Sequence, residues 1–141
     1  MTPAPAVAAA ATLVWLGMVL AISFLEAPLR FRAPGVTLPI GLGIGRIVFR
    51  ALNAAEAVLA ALVATALATG VSHPAPRVAG AVAVGLLVAQ LAAVRPRLTR
   101  RSDRVLAGGD APRSASHHVY IAMEVAKVIA LVCLGTLLLT A

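Results

Sequence analysis

The sequence predicts an all-α protein: one membrane domain (1–141) folded as an antiparallel four-helix transmembrane bundle. Three observations carry this. Hydrophobic residues make up 61% of the 141 residues and charged residues 12%, where soluble domains run near 45–50% and 25%. A soluble domain this short cannot withdraw so much apolar surface from water, and a disordered chain needs the opposite composition. The mean hydropathy of +0.98 is concentrated in four apolar runs, each near the ~20 residues that cross a bilayer.

The first run covers about 6–27, from Ala6 through Trp15 to Ala27. No Lys or Arg precedes it, so it reads as a retained helix and not as a signal peptide. Residues 27–46 follow, where Pro28, Pro34 and Pro39 interrupt a helical pattern. The apolar stretch from Gly35 to Gly45 is too short to span, which predicts an interfacial or shallow re-entrant segment. Gly41, Gly43 and Gly45 follow no strand, so they point to close backbone packing and not to a dinucleotide fingerprint. The second crossing is about 47–69, closed by Gly70 and VSHPAP. The third is about 77–94. The connection 95–116 is basic and then Gly/Pro-rich, with a short surface helix expected in its first half; the fourth crossing is about 117–140.

Basic residues set the orientation. Arg30, Arg32, Arg46 and Arg50 flank the first connection, and Arg95, Arg97, Arg100, Arg101, Arg104 and Arg113 lie in the third. Alternating crossings put both on one side, opposite Arg77, and positive charge marks that side as cytoplasmic. Both termini are then expected outside the cytoplasm. The Ala- and Arg-rich composition suggests a bacterial inner membrane. A net charge of +7 raises nucleic acid as a partner, but aromatics are only 4% and no stacking platform accompanies the arginines. The expected partners are instead the lipid bilayer and a second copy or a larger membrane protein. Cys133 is the single cysteine, so no intrachain disulfide can form, and its apolar neighbours predict a buried small hydrophobe.

Ionisable residues inside crossings are the informative ones, because a charge at the centre costs about 2.5–3.5 kcal/mol on insertion scales. Arg46, Arg50, Asn53 and Glu56 keep one face of the second crossing, and His117, Tyr120, Glu124 and Lys127 one face of the fourth. The third offers Gln90, and Glu26 closes the first. At ~1.5 Å rise per residue, Glu56 lies ~9 Å beyond Arg50 and Glu124 ~9 Å beyond His118. Asn53, Glu56, Gln90, Tyr120, Glu124 and Lys127 should therefore share one layer, with Arg50 pairing to Glu56 or Glu124 from the edge. Two readings follow: a site for a small molecule, ion or proton, or a structural latch docking a larger membrane complex, with Glu124 and Lys127 neutralising each other at i,i+3. His117 and His118 point about 100° apart on a helix and lack further ligands, so no metal is expected. The small-residue stripes Ala81/Gly85/Ala89 and Ala57/Ala61/Ala68 predict close helix contacts, within the chain or between copies. No cofactor motif, catalytic triad, HExxH or P-loop appears, and no enzyme activity is expected; an intramembrane enzyme is the third reading.

Four segments carry a resemblance. SFLEAPLRF (23–31), GRIVFRALNAAE (45–56), AAVRPRLTR (92–100) and SHHVYIAMEVAKV (116–128) resemble the helix boundaries of the TMEM-type four-helix membrane proteins of unknown function, a family associated with small-molecule resistance. The resemblance implies the four-helix fold and a membrane location. Glu56, Glu124 and Lys127 match no motif of that family.

Overall fold

In the computed structural model, residues 2–108 and 115–141 are described, apart from the side chains of 93–95, 97 and 115–117. Arg95, Arg97, Arg113 and His117 of the sequence reading fall outside the described residues or side chains. Every regular element among the described residues is helical. Helix α1 runs over Pro3–Arg30, with a π-helical stretch at Leu20–Glu26. Helix α2 is Leu38–Gly70. Helix α3 is Pro74–Ala89 and passes through a π turn, Gln90–Val94, into α4, Arg95–Leu106. Helix α5 is Ala115–Thr140. Four of these, α1, α2, α3 and α5, are long and apolar enough to cross a membrane.

Proline explains both π segments. Proline lacks the N–H that an α-helix needs, and its ring crowds the carbonyl four residues back. Pro28 and Pro96 each stand two residues beyond a π segment. At the first, Ala27 N–H reaches back five residues to the Ile22 carbonyl, just before Pro28. The widened turn accommodates the proline, and α1 continues through Pro28 to Arg30 instead of stopping there.

The segment expected to be interfacial or shallowly re-entrant is the opening of α2. Thr37 caps it, its Oγ1 accepting from the Ile40 N–H at 3.4 Å, and Pro39 falls in the first turn, where a missing N–H costs nothing. A helix of 33 residues is ~50 Å long, well beyond a ~30 Å hydrocarbon core. Its first three turns overhang at the arginine-rich end. Gly35, at φ +81°, turns the chain back, and Gly41 and Gly45 admit Phe31 and Arg30, whose side chains occupy the space a Cβ would take. Gly43, on the other face, meets nothing. Helix α4 packs on the overhang, joined by Arg46 to Asp103 at 2.6 Å.

Helix α1 packs against α2 and α5, and α3 packs against the same two. At the opposite end Gly70 closes on Ala4. There Arg77 donates to the carbonyls of Leu67 (3.2 Å) and Ala68 (3.1 Å), satisfying the end of α2. Trp15, Val63, Leu87, Leu131 and Leu134 form the middle of the apolar core. Ile47, Val58, Val78 and Ile129 project outward, as suits a bundle whose solvent is hydrocarbon.

Two expectations about faces are corrected. Cys133 lies on the outer surface instead of in the core, because an apolar run reads the same whether it faces protein or lipid. Ala57, Ala61, Ala68, Ala81 and Gly85 are exposed as well, and a Cβ on Gly85 would meet nothing. Of the two stripes only Ala89 is half-buried, so within the chain they are mostly outward-facing, which leaves contact between copies as the other half of the expectation.

Candidate functional site

Lys127 of α5 is wholly buried, and its ammonium has three protons to give. Nζ lies 2.6 Å from Glu56 Oε1, 2.6 Å from Glu124 Oε1 and 2.8 Å from Gln90 Oε1. Three acceptors therefore meet three donors. They come from α2, α5 itself and the π turn that continues α3, so one cation ties three helices together.

The two carboxylates differ in how they are held. Glu124 is met by four donors: Oε1 accepts from Lys127 and from Gln90 Nε2 at 3.1 Å, and Oε2 from Ser23 Oγ at 2.6 Å and Tyr120 OH at 3.4 Å. Glu56 accepts from Lys127 and from Trp15 Nε1 at 2.9 Å, both on Oε1. Its Oε2 is buried without a partner. Ser23 and Gln90 both sit in π segments, so the two proline-widened turns each present a side chain to Glu124. All four spanning helices contribute to one network.

Beside it, toward the arginine-rich end, lies a cavity of about 780 Å³ between α1, α2, α4 and α5. Ser23, Tyr120 and Glu124 belong to both the network and the cavity wall. Arg30, Arg46, Arg50 and Arg101 also line it. Arg30 pairs with Glu26, donates to the Gly41 carbonyl at 3.2 Å, and stacks over Phe49 at 5.9 Å from the ring centre. Phe49 in turn meets Tyr120 edge-on at 6.3 Å. Ser102 of α4 lines the cavity with its Oγ buried and unpartnered.

Of the residues singled out in the sequence, Glu56, Gln90, Tyr120, Glu124 and Lys127 come together. Asn53 is half-buried on the cavity wall. Arg50 is exposed there and pairs with neither Glu56 nor Glu124; Lys127 already occupies both carboxylates from inside. Glu26 serves Arg30 and not the layer. Sequence reasoning missed Trp15 and Ser23 as donors. Trp15 did carry a signal, since indole favours membrane interfaces and a mid-span N–H needs a partner. A single serine in an apolar run gives none.

No protein-family model, curated protein or solved structure matches the chain. The resemblance to the TMEM-type proteins therefore shows no family membership, and the chain stands as a small all-α protein whose four membrane-length helices enclose a charged network.

Proposed function

We propose that this is a non-enzymatic, multi-pass inner-membrane protein that handles a small solute together with a proton. Its arginine-rich end faces the cytoplasm and both termini lie outside. The observation that carries the reading is Glu124, which belongs at once to the buried ionic network and to the wall of the cavity. A solute in that cavity reaches Ser23, Tyr120 or Glu124 directly, and any change there is felt by Lys127 and Glu56.

Charge balance supports the proton. Two carboxylates and one ammonium sum to a net negative charge in a medium where an uncompensated charge is costly. One proton makes the set neutral. Glu124 is already met by four donors, whereas nothing serves Glu56 Oε2, so Glu56 is the carboxylate with a place left for a proton.

Infrared difference spectroscopy on the detergent-purified protein tests this. The expected result is a protonated-carboxyl C=O band that disappears in Glu56→Gln. A band absent at every pH overturns the reading. In proteoliposomes under an imposed pH gradient, a proton flux lost in a folded Glu56→Gln variant supports it.

One observation favours a second reading. All three protons of Lys127 are used, and a buried cation held by three helices rigidifies a core. A latch of that kind suits an accessory subunit docked to a larger membrane complex. It predicts stable co-purification with that complex and a Glu56→Gln variant that fails to accumulate in the membrane.

A further inference from the structure

We propose that the cavity is a binding site for an anionic amphiphile, a molecule with one phosphate or carboxylate head and an apolar tail. The inference rests on reading the cavity as the solute site, and it names the class of solute.

Charge comes first. The described acidic side chains are already engaged: Glu26 with Arg30, Asp103 with Arg46, and Glu56 and Glu124 with Lys127. No acidic side chain among the described residues pairs with Arg50, which stands on the cavity wall. A guanidinium there presents forked donors suited to a phosphate or carboxylate.

Ser102 is the second, independent observation. It is 7% exposed and lines the cavity, yet its Oγ finds no partner. Buried hydroxyls are nearly always hydrogen-bonded, so Ser102 has a bond left to give, which a rotation of its side chain would turn toward a head group in the cavity. Arg50 is on α2 and Ser102 on α4, and both line the cavity.

The tail follows from the rim. Phe24, Phe31, Leu38 and Ile121 line the cavity and are between 39% and 47% exposed. The cavity therefore has an open apolar rim, with Phe31 and Leu38 at the overhang and Phe24 and Ile121 on the spanning helices. A wholly polar anion leaves these groups unused, whereas an acyl chain covers them on its way out. At about 780 Å³ the space lies within the range of small-molecule pockets. It takes a head group and the first part of a chain.

Membrane lipid and soluble amphiphile share this chemistry, and the test separates them. Full-length protein is purified and followed by native mass spectrometry with phosphatidylglycerol or phosphatidylcholine, and by thermal melting with dodecyl phosphate or inorganic phosphate. Retained phosphatidylglycerol without phosphatidylcholine, weakened about tenfold in Arg50→Gln as one charge-assisted contact is lost, supports the proposal with lipid as the source. A Tm rise with dodecyl phosphate alone, reduced in Arg50→Gln and Ser102→Ala, supports it with a soluble source. Binding that Arg50→Gln does not change, an equal response to inorganic phosphate, or no response to either amphiphile overturns it. Arg50 is exposed, so the variant is expected to fold, and its own melting curve checks this. The measurement needs no proton: amphiphile binding can fail while the Glu56-dependent carboxyl band is still seen, and then only this inference falls.

Discussion

At the scale of single residues, Lys127 shows how a lone cation is made tolerable deep in an apolar bundle. Its partners were not supplied by one neighbour at i,i+3. They came from three helices, with Gln90 giving its carbonyl oxygen to the ammonium and its amide to Glu124. Removing one member of such a set leaves the opposite charge buried without its counterpart, which costs about 3–5 kcal/mol. Lys127→Met should therefore lower stability by roughly that amount in detergent unfolding. Adding Glu124→Gln and Glu56→Gln to it should recover much of the loss, because the charges are removed together. Trp15→Phe is a milder case: it keeps the ring and removes only the donor to Glu56. The expected loss is about 1–3 kcal/mol, read from the same unfolding curves, and no loss would mean that the Trp15 contact contributes only packing.

At the scale of elements, the second and fourth crossings were the most legible part of the chain. Their polar residues recur at helical spacing, and the shared depth of Glu56 and Glu124 followed from rise per residue alone. What could not be read was which side of an apolar helix faces protein. Cys133 and the Ala81–Gly85 stripe lie outward, because lipid and core select the same side chains. Proline was legible as an interruption but not in kind: Pro28 widens α1 instead of ending it, and the widening brings Ser23 to Glu124. Arg30, which the sequence assigned only to topology, turns out to anchor the overhang of α2 through the Gly41 carbonyl. Glycine gives the element-scale prediction. A Cβ on Gly70 would collide with Ala4, part of it near backbone, so Gly70→Ala should lower stability by about 1–3 kcal/mol. Gly85→Ala meets open space and should raise it by about 0.5–1 kcal/mol, the ordinary gain of alanine over glycine in a helix. Melting temperatures of the two variants shifting the same way would count against the packing described at Gly70.

At the scale of the whole molecule, the arginines do two jobs that the sequence shows as one. Arg30, Arg46, Arg50 and Arg101 are the residues from which the positive-inside rule predicts topology, and they also line a cavity at that end. The orientation and the site therefore stand together: if the arginine-rich end faces the cytoplasm, the cavity opens to ligands of the cytoplasmic leaflet. Cysteine labelling tests this with little disturbance, since Cys133 is the single native thiol and is replaced first by alanine. His73→Cys then reports the α2–α3 turn, and Arg104→Cys the exposed side of α4. In intact cells a membrane-impermeant maleimide should label His73→Cys at once and Arg104→Cys only after the inner membrane is permeabilised. The reverse pattern would invert the protein and move the cavity to the outer leaflet. The network and the arginine cavity would keep their geometry, but the solute would then arrive from the opposite side.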